Sequence, residues 1–152
     1  MIDRAMIHET LTFERWLEAS STEVFDAYVD VERRTRWSTP SDSAVFVYLE
    51  NDFRVGGIDR FRCGDQHAPQ YSGSVRYEDI VPGERIIYSE TIEAGGERLS
   101  VALVSWEFRS EGSGTRLRVT VQIASLVGAD MIAGNKTGMD AALENLVALL
   151  AR

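Results

Sequence analysis

The 152-residue sequence predicts an α+β fold: a curved antiparallel sheet of seven strands wrapped around one long C-terminal helix, with two short helices after the first strand. Three observations predict it. Residues 10–18 alternate in polarity with a period of two, and from residue 43 onward the sequence is strand-like, its first run, 43–50, being β-branched and aromatic. Gly- and Pro-containing turn signals interrupt the second region at hairpin-like intervals. Beyond residue 126 the apolar period changes to three and four, the pattern of a helix. A sheet with one apolar face must cover it, and only this last segment is long enough to do so.

In residues 10–18 (TLTFERWLE), Leu11, Phe13, Arg15 and Leu17 share one side, and Thr12, Glu14, Trp16 and Glu18 the other. After Ala19, the run Ser20, Ser21 and Thr22 offers N-caps for a short helix with the apolar series Val24, Phe25, Tyr28 and Val29. A second short helix, about 31–37, carries Glu32, Arg33, Arg34 and Arg36 and ends near Trp37, with Pro40 as its stop. Strands are expected at 43–50, 58–63, 71–81, 85–93, 98–109 and 115–124, with residues 64–70 as a polar loop. Pro82-Gly83, Gly95-Gly96 and Gly112-Ser113-Gly114 mark turns between them.

Val127, Met131, Asn135, Met139, Ala142, Leu143, Leu146, Leu149 and Leu150 form one stripe of the closing helix; Asp130, Lys136, Asp140 and Glu144 form the other. Gly134 and Gly138 weaken its first half by about 1 kcal/mol each relative to Ala. A strongly twisted sheet curling around one helix leaves room near the open end, so an internal cavity is expected. No linker, repeat or composition break divides the chain, and 1–152 reads as a single domain.

At 44% hydrophobic and 26% charged residues, the composition is that of a globular protein. The formal net charge of −8 argues against nucleic acid as a partner, because phosphate binding needs clustered Lys and Arg. It equally disfavours anionic membrane surfaces. Cys63 is the single cysteine, which excludes an internal disulfide or a multi-cysteine metal cluster. No apolar run approaches the roughly 20 residues of a membrane-spanning helix. Met1 to Glu9 lacks the pattern of a secretory signal, so the expected location is cytoplasmic.

Catalytic candidates are few. His8 falls in the segment before the first expected strand, and His67 in the loop Asp65-Gln66-His67-Ala68-Pro69, four residues after Cys63. A Cys and a His at that separation could form a nucleophile and base, or half a metal site, yet no third ligand or orienting group stands nearby. Alternation places Cys63 beside Phe61 on one sheet face, where a small buried hydrophobe is the simpler reading. Glu78 and Asp79 are adjacent in a strand and point to opposite faces. Glu32 with Arg36, and Asp140 with Glu144, read as solvated helix faces. Gly56-Gly57 lacks the Lys-Ser or Lys-Thr of a phosphate loop, and no dinucleotide fingerprint occurs, so no cofactor, metal or catalytic residue is assigned.

The aromatic residues carry more. Trp37, Phe61, Tyr77, Tyr88, Trp106 and Phe108 lie on elements expected to surround the helix, and Tyr and Trp join apolar bulk to one polar atom. From the helix, Met131, Asn135 and Met139 face the wider end. With Cys63 and His67 these are the candidate ligand-binding residues; for each aromatic, simple core filling is the competing role. Asn135 differs, because an amide on an apolar stripe needs a partner from the backbone or from a ligand.

Several segments together resemble a known family. They are Leu11-Thr12-Phe13-Glu14-Arg15, Glu23-Val24-Phe25-Asp26-Ala27, Asp30-Val31-Glu32-Arg33, Arg36-Trp37-Ser38-Thr39-Pro40, Asp52-Phe53-Arg54-Val55-Gly56-Gly57, Asp79-Ile80-Val81-Pro82-Gly83-Glu84-Arg85, Gly114-Thr115-Arg116-Leu117 and the ending from Gly138-Met139 to Leu150. In order and spacing they resemble the START-like (SRPBCC) superfamily, in its branch related to the activator of the Hsp90 ATPase. The resemblance implies the helix-grip fold with an apolar pocket and pairing as a homodimer. It implies less about activity, since relatives carry lipids or polyketides, cyclise polyketides, protect against reactive natural products or assist a chaperone. The chain departs from the family at Met139 and Ser38, where tryptophans are common, and at Pro82-Gly83, where Pro-Pro is.

Three functions follow as expectations. The first is non-enzymatic binding, transport or sequestration of a small apolar or aromatic molecule in the cavity. The second is a protein-interaction module of co-chaperone type, for which Trp16, Ile87 and Val101 would supply an outer apolar patch. The third is a cyclase or hydrolase using His67 or Cys63 in the same pocket.

Overall fold

A computed structural model describes residues 4–151; residues 1–3 and 152 of the expected domain lie outside the described residues. In chain order the elements are β1 (Ile7–Leu17), α1 (Ser21–Val29), α2 (Val31–Ser38), β2 (Ala44–Glu50), β3 (Ile58–Asp65), β4 (Ala68–Val81), β5 (Arg85–Ala94), β6 (Glu97–Glu111), β7 (Gly114–Ser125) and α3 (Ala129–Leu150). The seven strands make one antiparallel sheet in the order β1-β7-β6-β5-β4-β3-β2. Strands β2 to β7 are a meander, whereas β1 pairs with β7 at the opposite edge from β2. The two short helices therefore carry the chain from one edge of the sheet to the other. This is the helix-grip fold.

Local chemistry fixes that crossing. Ser20 opens α1 with a reciprocal capping box: the Glu23 amide donates to Ser20 Oγ at 3.1 Å, and the Ser20 amide donates to Glu23 Oε1 at 3.4 Å. Asp30 ends α1 and starts α2, its carboxylate accepting from the amides of Glu32 and Arg33. One acidic residue thus breaks the helix and restarts it in a new direction. At the start of β7, Gly114 passes so close to the Leu17 carbonyl and the Trp16 ring that no Cβ would fit.

The core lies between the sheet and the second half of α3. Leu17, Val104, Leu117, Val119, Val121, Leu143 and Leu146 are all buried. Arg15, on the inward side of β1, reaches Asp140 at 3.1 Å and Glu144 at 2.8 Å, so these two carboxylates are ion-paired across elements rather than merely solvated. Asn145 Nδ2 donates to the carbonyls of Trp37 and Thr39, which joins α3 to the end of α2.

Two expectations need correction. The segment 64–70 is a tight hairpin, because β3 continues to Asp65 and β4 begins at Ala68. Asp65 Oδ1 accepts from the His67 amide at 2.9 Å and closes the turn. Polar residues are tolerated in these strand ends because this end of the ribbon is largely solvent-exposed. His8 does not precede the first strand: β1 starts at Ile7, and His8 pairs opposite Ala124 of β7.

Candidate functional site

A cavity of about 590 Å³ opens between the first half of α3 and strands β2 to β5, within the range of pockets for small organic molecules. Three glycines help keep this space free of side chains. Phe61 lies flat over Gly73 of the neighbouring β4, where any Cβ would collide with its ring. A side chain at Gly73 would thus tilt Phe61 into the space. On α3, Gly134 and Gly138 line the cavity, and added Cβ atoms would meet nothing within 4 Å.

Beneath the second half of α3 the interior is closed by an aromatic cluster. Tyr28 packs edge-on against Trp106 at 5.2 Å between centroids, and Trp37 lies 5.7 Å from Trp106. The indoles are satisfied: Trp37 Nε1 donates to the Ala27 carbonyl at 2.9 Å and Trp106 Nε1 to Tyr88 Oη at 3.1 Å. Beside them Arg34 is almost fully buried, with Asp59 as its counter-ion at 3.0 Å. Arg34 also donates to the Tyr28 carbonyl at 2.9 Å, and its guanidinium stands 4.6 Å from the centroids of both the Tyr28 and Tyr48 rings. Asp59 further accepts from the Tyr77 hydroxyl at 2.6 Å and from the Asp52 amide at 3.0 Å. A buried charge is tolerable only with this many partners.

Of the candidate binding residues, the cavity brings together Trp37, Phe61, Cys63, Tyr88, Trp106, Met131, Asn135 and Met139. His67 sits exposed in the β3–β4 turn, outside the lining. Tyr77 and Phe108 face inward as their strands require, but at the closed end: Tyr77 packs on Phe53 at 4.9 Å and Phe108 on Phe25 at 5.6 Å. Sequence periodicity identifies the face of a strand, not the height at which a side chain meets the core.

The polar lining escaped the sequence reading. Arg34, Asp59 and Glu90 all border the cavity. Alternation carries the signal for the two acids, since Asp59 falls in phase with Phe61 and Cys63, and Glu90 in phase with Tyr88 and Ile92. Burial pushes the Glu90 carboxyl up to about 7. Burial, with the Glu90 charge adding to it, pushes the Cys63 thiol up to about 11, so the thiol stays protonated and weakly nucleophilic near neutrality. The described residues include no group of three His, Cys, Asp or Glu side chains able to hold a metal ion. Nor is any described helix long and apolar enough to cross a membrane.

Residues 18–151 match the family described as activator of Hsp90 ATPase homolog 1-like protein. Among solved structures, the Mll3558 protein from Rhizobium loti is 35% identical with a TM-score of 0.83, covering 95% of this chain and 98% of that one. A protein from Rhizobium leguminosarum is 30% identical with a TM-score of 0.84, covering 96% of each chain. The CV1439 protein from Chromobacterium violaceum is 25% identical with a TM-score of 0.81, covering 94% of this chain and 97% of that one. Among curated proteins none matches the chain.

Proposed function

The chain belongs to the activator of Hsp90 ATPase homolog 1-like family, and we propose that it binds a small apolar or aromatic molecule inside the fold. The observation that carries this reading is the cavity of about 590 Å³, walled by Trp37, Phe61, Trp106, Met131 and Met139. A space this large within an otherwise close-packed domain forfeits dispersion contacts along its whole wall. A ligand would restore them, its buried surface contributing about 25 cal/mol per Å² before ordering costs.

A co-chaperone-type interaction module would need a contiguous apolar patch on the outer face. Trp16 and Val101 are both exposed, but they lie beside Arg116 and Ala124, positions about 26 Å apart along β7. Ile87 is half-buried. For a cyclase or hydrolase, the Cys63 thiol is protonated and His67 stands outside the cavity. Both arrangements favour the binding reading.

Titration with N-phenyl-1-naphthylamine, a dye that brightens in apolar surroundings, tests it. Saturable binding at one site per chain is expected, weakened about tenfold or more in Met139→Trp, which fills part of the space. Absence of saturable binding, or full affinity in the variant, would overturn the assignment.

A further inference from the structure

The cavity wall carries an acceptor on each side to which no hydrogen bond is made. Glu90 projects from β5, in register with Val75 of β4 and Ala102 of β6, and lines the cavity. Among the described residues no hydrogen bond or ion pair reaches its carboxyl group. Across from the sheet, on α3, Asn135 Oδ1 is buried and has no hydrogen-bond partner. Both are acceptors: a carboxylate offers two oxygens and an amide one. Asn135 Oδ1 is fully buried, where a polar atom without a partner is costly, and Glu90 is half-buried on the cavity wall.

The closed end shows what satisfaction looks like in the same molecule. There the acid Asp59 has a cation, a hydroxyl and an amide around it. The cation of that set, Arg34, spends its two terminal nitrogens on the Tyr28 carbonyl and on Asp59, while its Nε is buried without a partner. Glu90 therefore lines a largely apolar space in which no cation pairs with it, because Arg34, also on the wall, is held by Asp59. A hydrocarbon would leave both acceptors unmatched, and a carboxylic acid would set like charges together. A molecule that brings N–H donors with a positive charge meets both needs at once.

Resting on the reading of the cavity as a binding site, we propose that its ligand is an apolar or aromatic molecule bearing a protonated amine, with Glu90 as counter-ion and Asn135 as a second acceptor. Burial alone raises the Glu90 carboxyl; an adjacent cation would lower it again and make an ion pair in a low-dielectric setting.

Three probes of one ring system separate the possibilities: 2-ethylnaphthalene, 2-(2-naphthyl)ethylamine and 2-naphthylacetic acid, measured by equilibrium dialysis with the full chain at about pH 8, above the Glu90 midpoint. The amine should bind about tenfold or more tighter than the hydrocarbon, and the acid weakest. Glu90→Gln should abolish the amine's advantage over the hydrocarbon, the ratio of their affinities falling about tenfold or more to near one. Equal affinity of amine and hydrocarbon, or an amine preference that survives Glu90→Gln, would overturn the ligand class while leaving the cavity a binding site. Failure of all three probes to bind would overturn the binding reading as well.

Discussion

The two halves of α3 span the same sheet and are built on opposite terms. Its last eleven residues bury Ala142, Leu143, Leu146 and Leu150, and hold Arg15 and the end of α2 through Asp140, Glu144 and Asn145. Its first eleven turn Asp130, Met131, Gly134, Asn135, Gly138 and Met139 toward an open volume. The difference extends into the sheet. At the closed end Asp59 and the terminal nitrogens of Arg34 are ion-paired and hydrogen-bonded, with Arg34 Nε left unmatched, whereas no hydrogen bond reaches Glu90 or Asn135 Oδ1 at the open end. Concentrating cohesion at one end lets the other keep a cavity without unfolding the chain, because local stability differs from region to region.

The comparison makes removal of an acid act in opposite directions at the two ends. At the closed end, Asp59→Ala strands the Arg34 guanidinium and removes the acceptor of the Tyr77 hydroxyl and the Asp52 amide. The expected loss is about 3–5 kcal/mol in denaturant unfolding, the cost of an unpaired buried charge. A loss below about 1 kcal/mol would mean that the network adds little to the closed end.

Glu90→Gln should do the reverse. The carboxyl titrates near 7 in the folded protein against an ordinary 4.5, so the folded state holds this proton more tightly than the unfolded state does. Stability from this group is then full at low pH, declines as pH rises from about 4.5 to about 7 and is flat above. Glutamine abolishes that decline. Above pH 7 the variant should exceed the parent by an amount on the order of 2 kcal/mol, with little difference near pH 4. Parallel stability–pH curves for the two proteins would show that Glu90 is solvated despite its position.

How much of this was readable beforehand follows from the range of each interaction. Strand alternation and the helical stripe are local, and they place the seven strands and α3 to within a few residues. The pairing of β1 with β7 joins Ile7 to Ser125, and no periodicity reports such a partner. The same limit explains the site. Trp37, Phe61 and Met139 were legible as inward-facing, yet Tyr77 and Phe108 share that property and lie in the closed core. Arg34 was hidden differently: it sits in a helix crowded with Glu32, Arg33 and Arg36, and only its contact with Asp59, 25 residues away, sets it apart. Inward-phase acids were the usable clue. Asp59 and Glu90 both break an apolar alternation, and both border the cavity.

The smallest effect concerns the glycines of α3, which by helix propensity alone are a weakness. Gly134 has a helical backbone and open space around its missing side chain. Gly134→Ala should therefore stabilise the fold by up to about 1 kcal/mol through helix propensity alone. The contrasting site is Gly73, where the same methyl would collide with Phe61 and must destabilise. Measured together by thermal or denaturant unfolding, the pair separates two reasons for a glycine beside a cavity. One leaves room for what enters; the other lets a neighbouring ring lie flat. A Gly134→Ala variant less stable than the parent would mean that the first half of α3 is packed as tightly as the second, and the contrast between them would be lost.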